Sequence, residues 1–183
     1  MPVSPPVCDF GWKAEDFRLP DTAGKLWTLD TLRGPNGLLL MFICNHCPYV
    51  KGITGKLVSE ARELTGLGIG VAAICSNDAT DHPEDSYANM AVFARERGFP
   101  FPYLHDADQR VARVYDAACT PDFFGFNTRL ELQYRGRLDD AGRSEALGSR
   151  RELHEAMRQI AATGEGPREQ VASMGCSIKW KAA

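Results

Sequence analysis

Residues Cys44-Asn45-His46-Cys47 set two thiols three positions apart with an imidazole between them. They follow the apolar run Leu38-Leu39-Leu40-Met41-Phe42-Ile43, and a helical pattern starts just after them. That position suits thiol–disulfide chemistry. A helix N-terminus carries partial positive charge and unpaired N–H donors, and both favour the thiolate, the reactive form of cysteine. Cysteines at this spacing, on a bend into a helix, close a disulfide without long-range rearrangement. Pro48 suits the first helical position and disfavours helical geometry in the residue before it. This predicts Cys47 as the helix N-cap, with Cys44 just outside it and exposed. His46, as imidazolium, would lower a neighbouring thiol pKa further. A structural zinc site needs about four ligands. Only Cys44, His46 and Cys47 cluster here and no second C-x-x-C exists, so redox chemistry is the leading reading, with an inert pair of buried structural cysteines and a metal site the lesser ones.

The remaining thiols are less defined. In Cys119-Thr120-Pro121 the proline stands where a strand would begin, a position it tolerates. Cys119 reads equally as a third redox thiol or as a small buried hydrophobe. Cys176, in Gly175-Cys176-Ser177-Ile178-Lys179-Trp180-Lys181, could reach the reactive pair as a resolving thiol, but packing with Ile178 and Trp180 is the favoured reading. Cys75 ends an apolar run and belongs to the core; Cys8 lies in the lead-in. His82 and His105 read as surface residues, and Asp81, Glu84 and Asp85 as a solvated acidic entry to a helix. Arg129 and Arg135 face solvent by pattern.

These residues need a scaffold, and the chain of 183 residues is long enough for one domain with a real core. A net charge of −3 gives no basic footprint for nucleic acid. No apolar stretch approaches the ~18–20 residues of a membrane helix. The first residues, Met1-Pro2-Val3-Ser4-Pro5-Pro6, lack the basic and apolar regions of a signal peptide. A cytoplasmic location is therefore expected, where thiols stay reduced, so the six cysteines are not read as a structural disulfide framework.

Phe17-Arg18-Leu19 and Leu26-Trp27-Thr28-Leu29 flank a turn-rich segment and predict a small hairpin. Residues 38–43 and 69–75 read as buried strands. Between them Val50, Ile53, Leu57, Ala61 and Leu64 mark a helix ending near Gly66. Tyr87, Met90, Phe93 and Ala94 mark a second helix, closed by Gly98. Asp106 and Gln109 form an N-cap pair for a short helix carrying Val111, Val114 and Tyr115. Asp122 to Phe126 reads as a third strand. Leu130, Leu132 and Tyr134 alternate with polar residues as a half-exposed fourth, after the connection Asn127-Thr128-Arg129. Ser149 with Glu152 predicts a capping box opening the last helix, which carries Leu153, Met157 and Ile160. The order β, α, β, α, short α, then a ββ hairpin and α is the thioredoxin arrangement: an α/β fold with a mixed central β-sheet flanked by helices. An N-terminal hairpin and a C-terminal tail extend it. The whole chain, 1–183, is read as a single domain with a core of about 17–162 and a tail of 163–183.

Separated blocks in order carry a family resemblance: Phe42 to Lys51, Ser76-Asn77-Asp78, Pro83-Glu84-Asp85-Ser86, Phe101 to Leu104, Ala118 to Phe124, Tyr134 to Asp140 and Gly175 to Lys181. Together they resemble the peroxiredoxin-like, thioredoxin-family proteins of the redoxin and alkyl-hydroperoxide-reductase/thiol-specific-antioxidant superfamily, over nearly the whole chain. The resemblance implies a cis Thr120–Pro121 bond facing the dithiol, with Thr120 and Pro121 docking an extended substrate, Cys119 near Cys44, and Cys44 and Cys47 at the dithiol position. The chain departs from typical thioredoxins in having Asn45-His46 between the cysteines and no acid in the preceding strand. The expected activity is thiol–disulfide oxidoreduction. Cys44 attacks as thiolate, Cys47 resolves the mixed disulfide, and a thioredoxin or glutathione system resets the pair. The partners would be a disulfide-containing protein or small thiol, with no nucleic acid or membrane, and no cofactor. A thiol peroxidase is the alternative, one cysteine passing through a sulfenic acid and Cys119, Cys176 or the dithiol neighbour condensing with it.

Overall fold

In the computed structural model, which describes residues 2–146 and 150–182, the chain opens with strand β1 (Pro2–Val3) and then makes the expected hairpin from β2 (Leu19–Pro20) and β3 (Leu26–Trp27). Leu19 stands opposite Trp27. Asp21 fixes the turn by accepting from the Ala23 and Lys25 N–H groups and the Trp27 indole. Helix α1 (Leu29–Leu32) leads to β4 (Leu38–Phe42), the apolar run before the cysteines. Helices α2 (Pro48–Lys51) and α3 (Thr54–Gly66) follow, then β5 (Gly70–Cys75), a 3-10 turn at Pro83–Asp85 and α4 (Tyr87–Arg97). The rest comprises β6 (Tyr103–His105), α5 (Arg110–Val114), β7 (Cys119–Thr120), β8 (Asp122–Phe126), β9 (Leu132–Tyr134), α6 (Glu152–Thr163) and β10 (Gly175–Ser177).

The main sheet has the order β6-β5-β4-β8-β9. Strand β4 runs parallel to β5 and antiparallel to β8, so the sheet is mixed and β4 is its centre. Being covered on both faces, β4 is apolar at every position. Successive side chains point to opposite faces. Leu39, Met41 and Ile43 join Leu57 and Leu64 of α3 and Met157 and Ile160 of α6 in one core. Leu38, Leu40 and Phe42 join Leu29, Val111 and Tyr115 in the other. Cys44 and Cys47 belong to the first, at the end of the central strand.

Several elements differ from expectation. The helix expected from Val50 to Leu64 is broken by a non-helical Ile53, with φ −116° and ψ 1°. Gln109 rather than Asp106 caps α5, and Asp106 reaches past it to accept from the Val111 and Ala112 N–H groups at 3.2 and 2.9 Å. The expected half-exposed fourth strand is buried at all three positions of β9. The lead-in lies along it, with Gly11 N–H donating to Leu132 O and Leu132 N–H to Trp12 O, while Gln170 of the tail bonds Gln133 O and Arg135 N–H. Arg135 is accordingly buried, paired at 2.9 Å with the buried Asp122, and does not face solvent; Arg129 does. The capping box at Ser149 lies outside the described residues, and the N-cap of α6 is Arg151. Gly98 closes α4 in the left-handed region, as expected.

The tail is not a loose extension. Strand β10 lies between β1 and β7 in a second, three-stranded sheet, with Cys176 opposite Thr120 on one side and Pro2 on the other. Among the described residues no helix is long and apolar enough to cross a membrane.

Candidate active site

Cys47 caps α2, as Pro48 dictates: its φ of −63° and ψ of 123° are extended, and its carbonyl takes the Val50 and Lys51 N–H groups. Cys44 does not lie exposed outside the helix. Both cysteines are 0% exposed. Thr120 closes over them, its hydroxyl 3.3 Å from Cys44 Sγ and its carbonyl 3.2 Å from Cys47 Sγ, and β10 pairs with Thr120 from the far side. The Thr120–Pro121 bond is cis, as the resemblance implies. The Thr120 edge expected to dock an extended substrate is thus paired with the chain's own tail. Beside Pro121 a cleft of about 250 Å³ opens between Tyr49, Phe123, Arg143, Ser173 and Met174.

A buried acid organises the turn between the cysteines, and it is not on the preceding strand. The 3-10 turn delivers Asp85, whose side chain is fully buried and accepts four hydrogen bonds. They come from Asn45 N–H (2.7 Å), His46 N–H (3.2 Å), His46 Nδ1 (2.6 Å) and Asn77 Nδ2 (2.8 Å). Asn45 is locked in turn by Glu84 O and the Tyr103 hydroxyl. The expectation of a solvated acidic cluster fails at Asp85, because the loop after β5 folds back onto the turn. Sequence reasoning missed this residue; the one available signal was its place in the block Pro83-Glu84-Asp85-Ser86. His46 Nδ1 lies 4.0 Å from Cys44 Sγ but bonds Asp85, so its positive pole is shared with a carboxylate. His82, expected at the surface, stacks on the His46 ring with centroids 5.1 Å apart.

The two thiols are electrostatically unequal. Cys47 is lowered to about 4, chiefly by the hydrogen bond from Cys44. Burial opposes this shift, while the Cys176 thiol, the Thr120 hydroxyl and the Cys176 N–H support it. Cys44 is pushed far above the ordinary thiol range: it holds its proton toward Cys47, is buried, and faces the Asp85 charge. When Cys47 is protonated, its S–H donates a hydrogen bond to Thr120 O at 3.2 Å.

Cys176 is half-buried and pushed up to about 11, by burial first and then by its hydrogen bond with Cys47 and the Cys47 charge. Cys119 is fully buried, bonds Pro121 O at 3.5 Å and is raised by burial and the nearby Asp122. Thr120, rather than Cys119, makes the contact with Cys44. Cys75 is a core residue, raised to about 12 by burial.

Ligand atoms of Cys44, His46 and Asp85 lie within 4.8 Å of one another, a possible metal cluster. The donor set fits a metal poorly. Both Asp85 oxygens already accept from backbone and side-chain donors, and one of those donors is the His46 nitrogen itself.

A thioredoxin-like fold with a buried cysteine pair at the end of its central strand defines a redoxin. Residues 10–137 match the AhpC/TSA family, and the chain belongs to that family. Two solved structures are similar along the whole length. One is an uncharacterized conserved protein from Geobacillus kaustophilus, with 40% identity, TM-score 0.93, and 100% of this chain and 98% of that chain covered. The other is a hypothetical protein from Sinorhizobium meliloti 1021, with 38% identity, TM-score 0.92, and coverage of 98% and 99%. A secreted disulfide oxidoreductase from Mycobacterium tuberculosis shares the fold at 18% identity and TM-score 0.54, over 64% of this chain and 80% of that one. No curated protein matches the chain.

Proposed function

We propose that the protein is a thiol–disulfide oxidoreductase whose working pair is Cys44 and Cys47. The observation that carries this reading is the seating of both sulfurs against Thr120 at the turn into α2, Cys44 Sγ 3.3 Å from its hydroxyl and Cys47 Sγ 3.2 Å from its carbonyl, with Cys47 as the helix N-cap. Two cysteines three positions apart on a bend into a helix are the reduced half of a disulfide that closes without long-range rearrangement. In this reading the Cys47 thiolate, rather than Cys44 as the sequence suggests, attacks a sulfur of the substrate disulfide and expels one substrate thiolate. Cys44, losing its proton, then attacks Cys47, releases the second substrate thiolate and closes the Cys44–Cys47 bond. His46 and Asp85 hold the turn in register, while Thr120 and Pro121 line the approach. An external dithiol or glutathione reverses the sequence. We place this activity in the cytoplasm, where such reductants are abundant.

A second reading is favoured by the AhpC/TSA match and by the charge on Cys47. Cys47 attacks the terminal oxygen of a hydroperoxide, an alcohol leaves, and the sulfenic acid condenses with the Cys44 thiol to release water. Parallel turnover assays separate the two, one with a small-molecule disulfide and dithiol reductant, the other with an alkyl hydroperoxide and the same reductant. The first reading expects disulfide exchange lost in Cys47→Ser and no sulfenic acid trapped by dimedone. Fast peroxide consumption with dimedone on Cys47 overturns it in favour of the second.

A further inference from the structure

The tail raises a problem of access. Neither Cys44 nor Cys47 has exposed surface, so an external disulfide cannot touch either sulfur in this conformation. What covers them is β10, antiparallel to β7 along the backbone edge at Thr120. Gly175 shows how closely it is seated: a Cβ there would stand 2.0 Å from Thr120 O. The seat is anchored on both sides. Before it, the Ser173 hydroxyl donates to Pro121 O at 2.7 Å. After it, buried Ile178 donates to Ala118 O, Lys179 N–H to Asn77 Oδ1, and Asp78 N–H to Lys179 O. A strand held this way is a poor lid.

It does, however, carry a thiol. Cys176 stands opposite Thr120, packs against the core that contains Cys44 and Cys47, and keeps part of its surface in solvent. Its register partner Thr120 holds its carbonyl 3.2 Å from the Cys47 sulfur, which sets Cys176 on the strand beside Cys47. Of these three thiols only Cys176 keeps surface in solvent.

We propose that Cys176 is the third redox residue of the site, the thiol through which the buried pair exchanges with external disulfides and thiols by way of a Cys47–Cys176 bond. This rests on the thiol–disulfide reading above and replaces direct attack by Cys47 with a relay. The Cys176 thiolate attacks one sulfur of an external disulfide RSSR; that S–S bond breaks and RS⁻ leaves and takes a proton. The Cys47 thiolate attacks Cys176 Sγ, the second RS⁻ leaves, and Cys47–Cys176 now carries the oxidation. Cys44 attacks Cys47 Sγ, its proton passing to the released Cys176, and Cys44–Cys47 is formed with no further net oxidation. An external dithiol runs the same steps backwards. In that direction it opens Cys47–Cys176 at the solvent-facing sulfur, and Cys47 leaves as the better-stabilised thiolate.

The test uses the full chain, reduced, then mixed with limiting oxidised glutathione, acid-quenched at intervals, alkylated and mapped by peptide mass spectrometry. The relay expects glutathione first on Cys176, then Cys47–Cys176, then Cys44–Cys47. Cys176→Ser and Cys176→Ala should slow loss of the Cys44 and Cys47 thiols by about tenfold or more. Cys47→Ser should hold the glutathione on Cys176. Glutathione appearing first on Cys44 or Cys47, or wild-type oxidation rates in both folded Cys176 variants, overturns the relay. If Cys47–Cys176 forms but Cys44–Cys47 never does, the relay thiol stands and the dithiol reading falls.

Discussion

Replacing Asp85 by alanine should be among the most damaging single changes outside the cysteines. The carboxylate is completely buried and accepts from two backbone N–H groups, a histidine and an asparagine. Hydrogen bonds to a charged group contribute about 1.5–3 kcal/mol each, and they are not additive. Removing one partner of a buried charged network typically costs about 3–5 kcal/mol. That range is a large part of the ~5–15 kcal/mol that holds a domain together. At about 2 kcal/mol per molar urea, the unfolding midpoint should fall by about 2 M. Asp85→Asn separates packing from charge. Its oxygen can still take Asn45 N–H and His46 N–H, but its amide nitrogen meets the Asn77 amide donor, so a loss of about 2 kcal/mol is expected. Asp85 is one of the causes that raise Cys44, so removing its charge should shift the Cys44 titration downward. Urea unfolding followed by fluorescence, with residue-resolved alkylation against pH, reads both effects. An Asp85→Ala midpoint equal to wild type would refute the assignment of Asp85 as the organiser of the turn.

Other consequences are as direct. With Cys47 lowered from 9.0 to about 4, its ultraviolet thiolate band should persist as pH falls from 8 to 6 and disappear only near 4. Because the folded value is the depressed one, this group adds stability that is full above the unfolded value and is lost as pH falls through the folded one. Cys47→Ser should therefore flatten the pH dependence of thermal stability between about 9 and 4. Gly175→Ala, whose Cβ meets the Thr120 carbonyl, should unseat β10, cost about 1–3 kcal/mol and speed alkylation of Cys44 and Cys47. Arg135→Met leaves Asp122 buried without its guanidinium and should lose about 3–5 kcal/mol in chemical unfolding. Adding Asp122→Asn should restore part of that loss.

What could be read from the sequence was local. Leu38 to Phe42 is apolar at every position because a central strand is covered on both faces. Pro48 sets Cys47 at the cap, and Gly98 supplies the left-handed residue that ends α4. What escaped was made by segments distant in the chain. Asp85 looks like any exposed acid until the loop after β5 turns back on the Asn45-His46 peptide groups. Arg135 sits in an alternating pattern that predicts exposure, but the lead-in and the tail cover β9. Gly175 to Ser177 is too short to signal a strand, and its role follows from the edge it completes at Thr120. The burial of Cys44 follows from that same closure.

The most direct test of the central claim is the thiol–disulfide equilibrium of the site. Full-length protein is equilibrated in graded reduced and oxidised glutathione, quenched, alkylated and mapped by mass spectrometry. The account predicts that Cys44 and Cys47 lose their thiols together, at one midpoint, in a single reversible disulfide. Cys8, Cys75 and Cys119 should stay reduced. Thiols at Cys44 and Cys47 that survive every ratio, or that oxidise independently of each other, would contradict it.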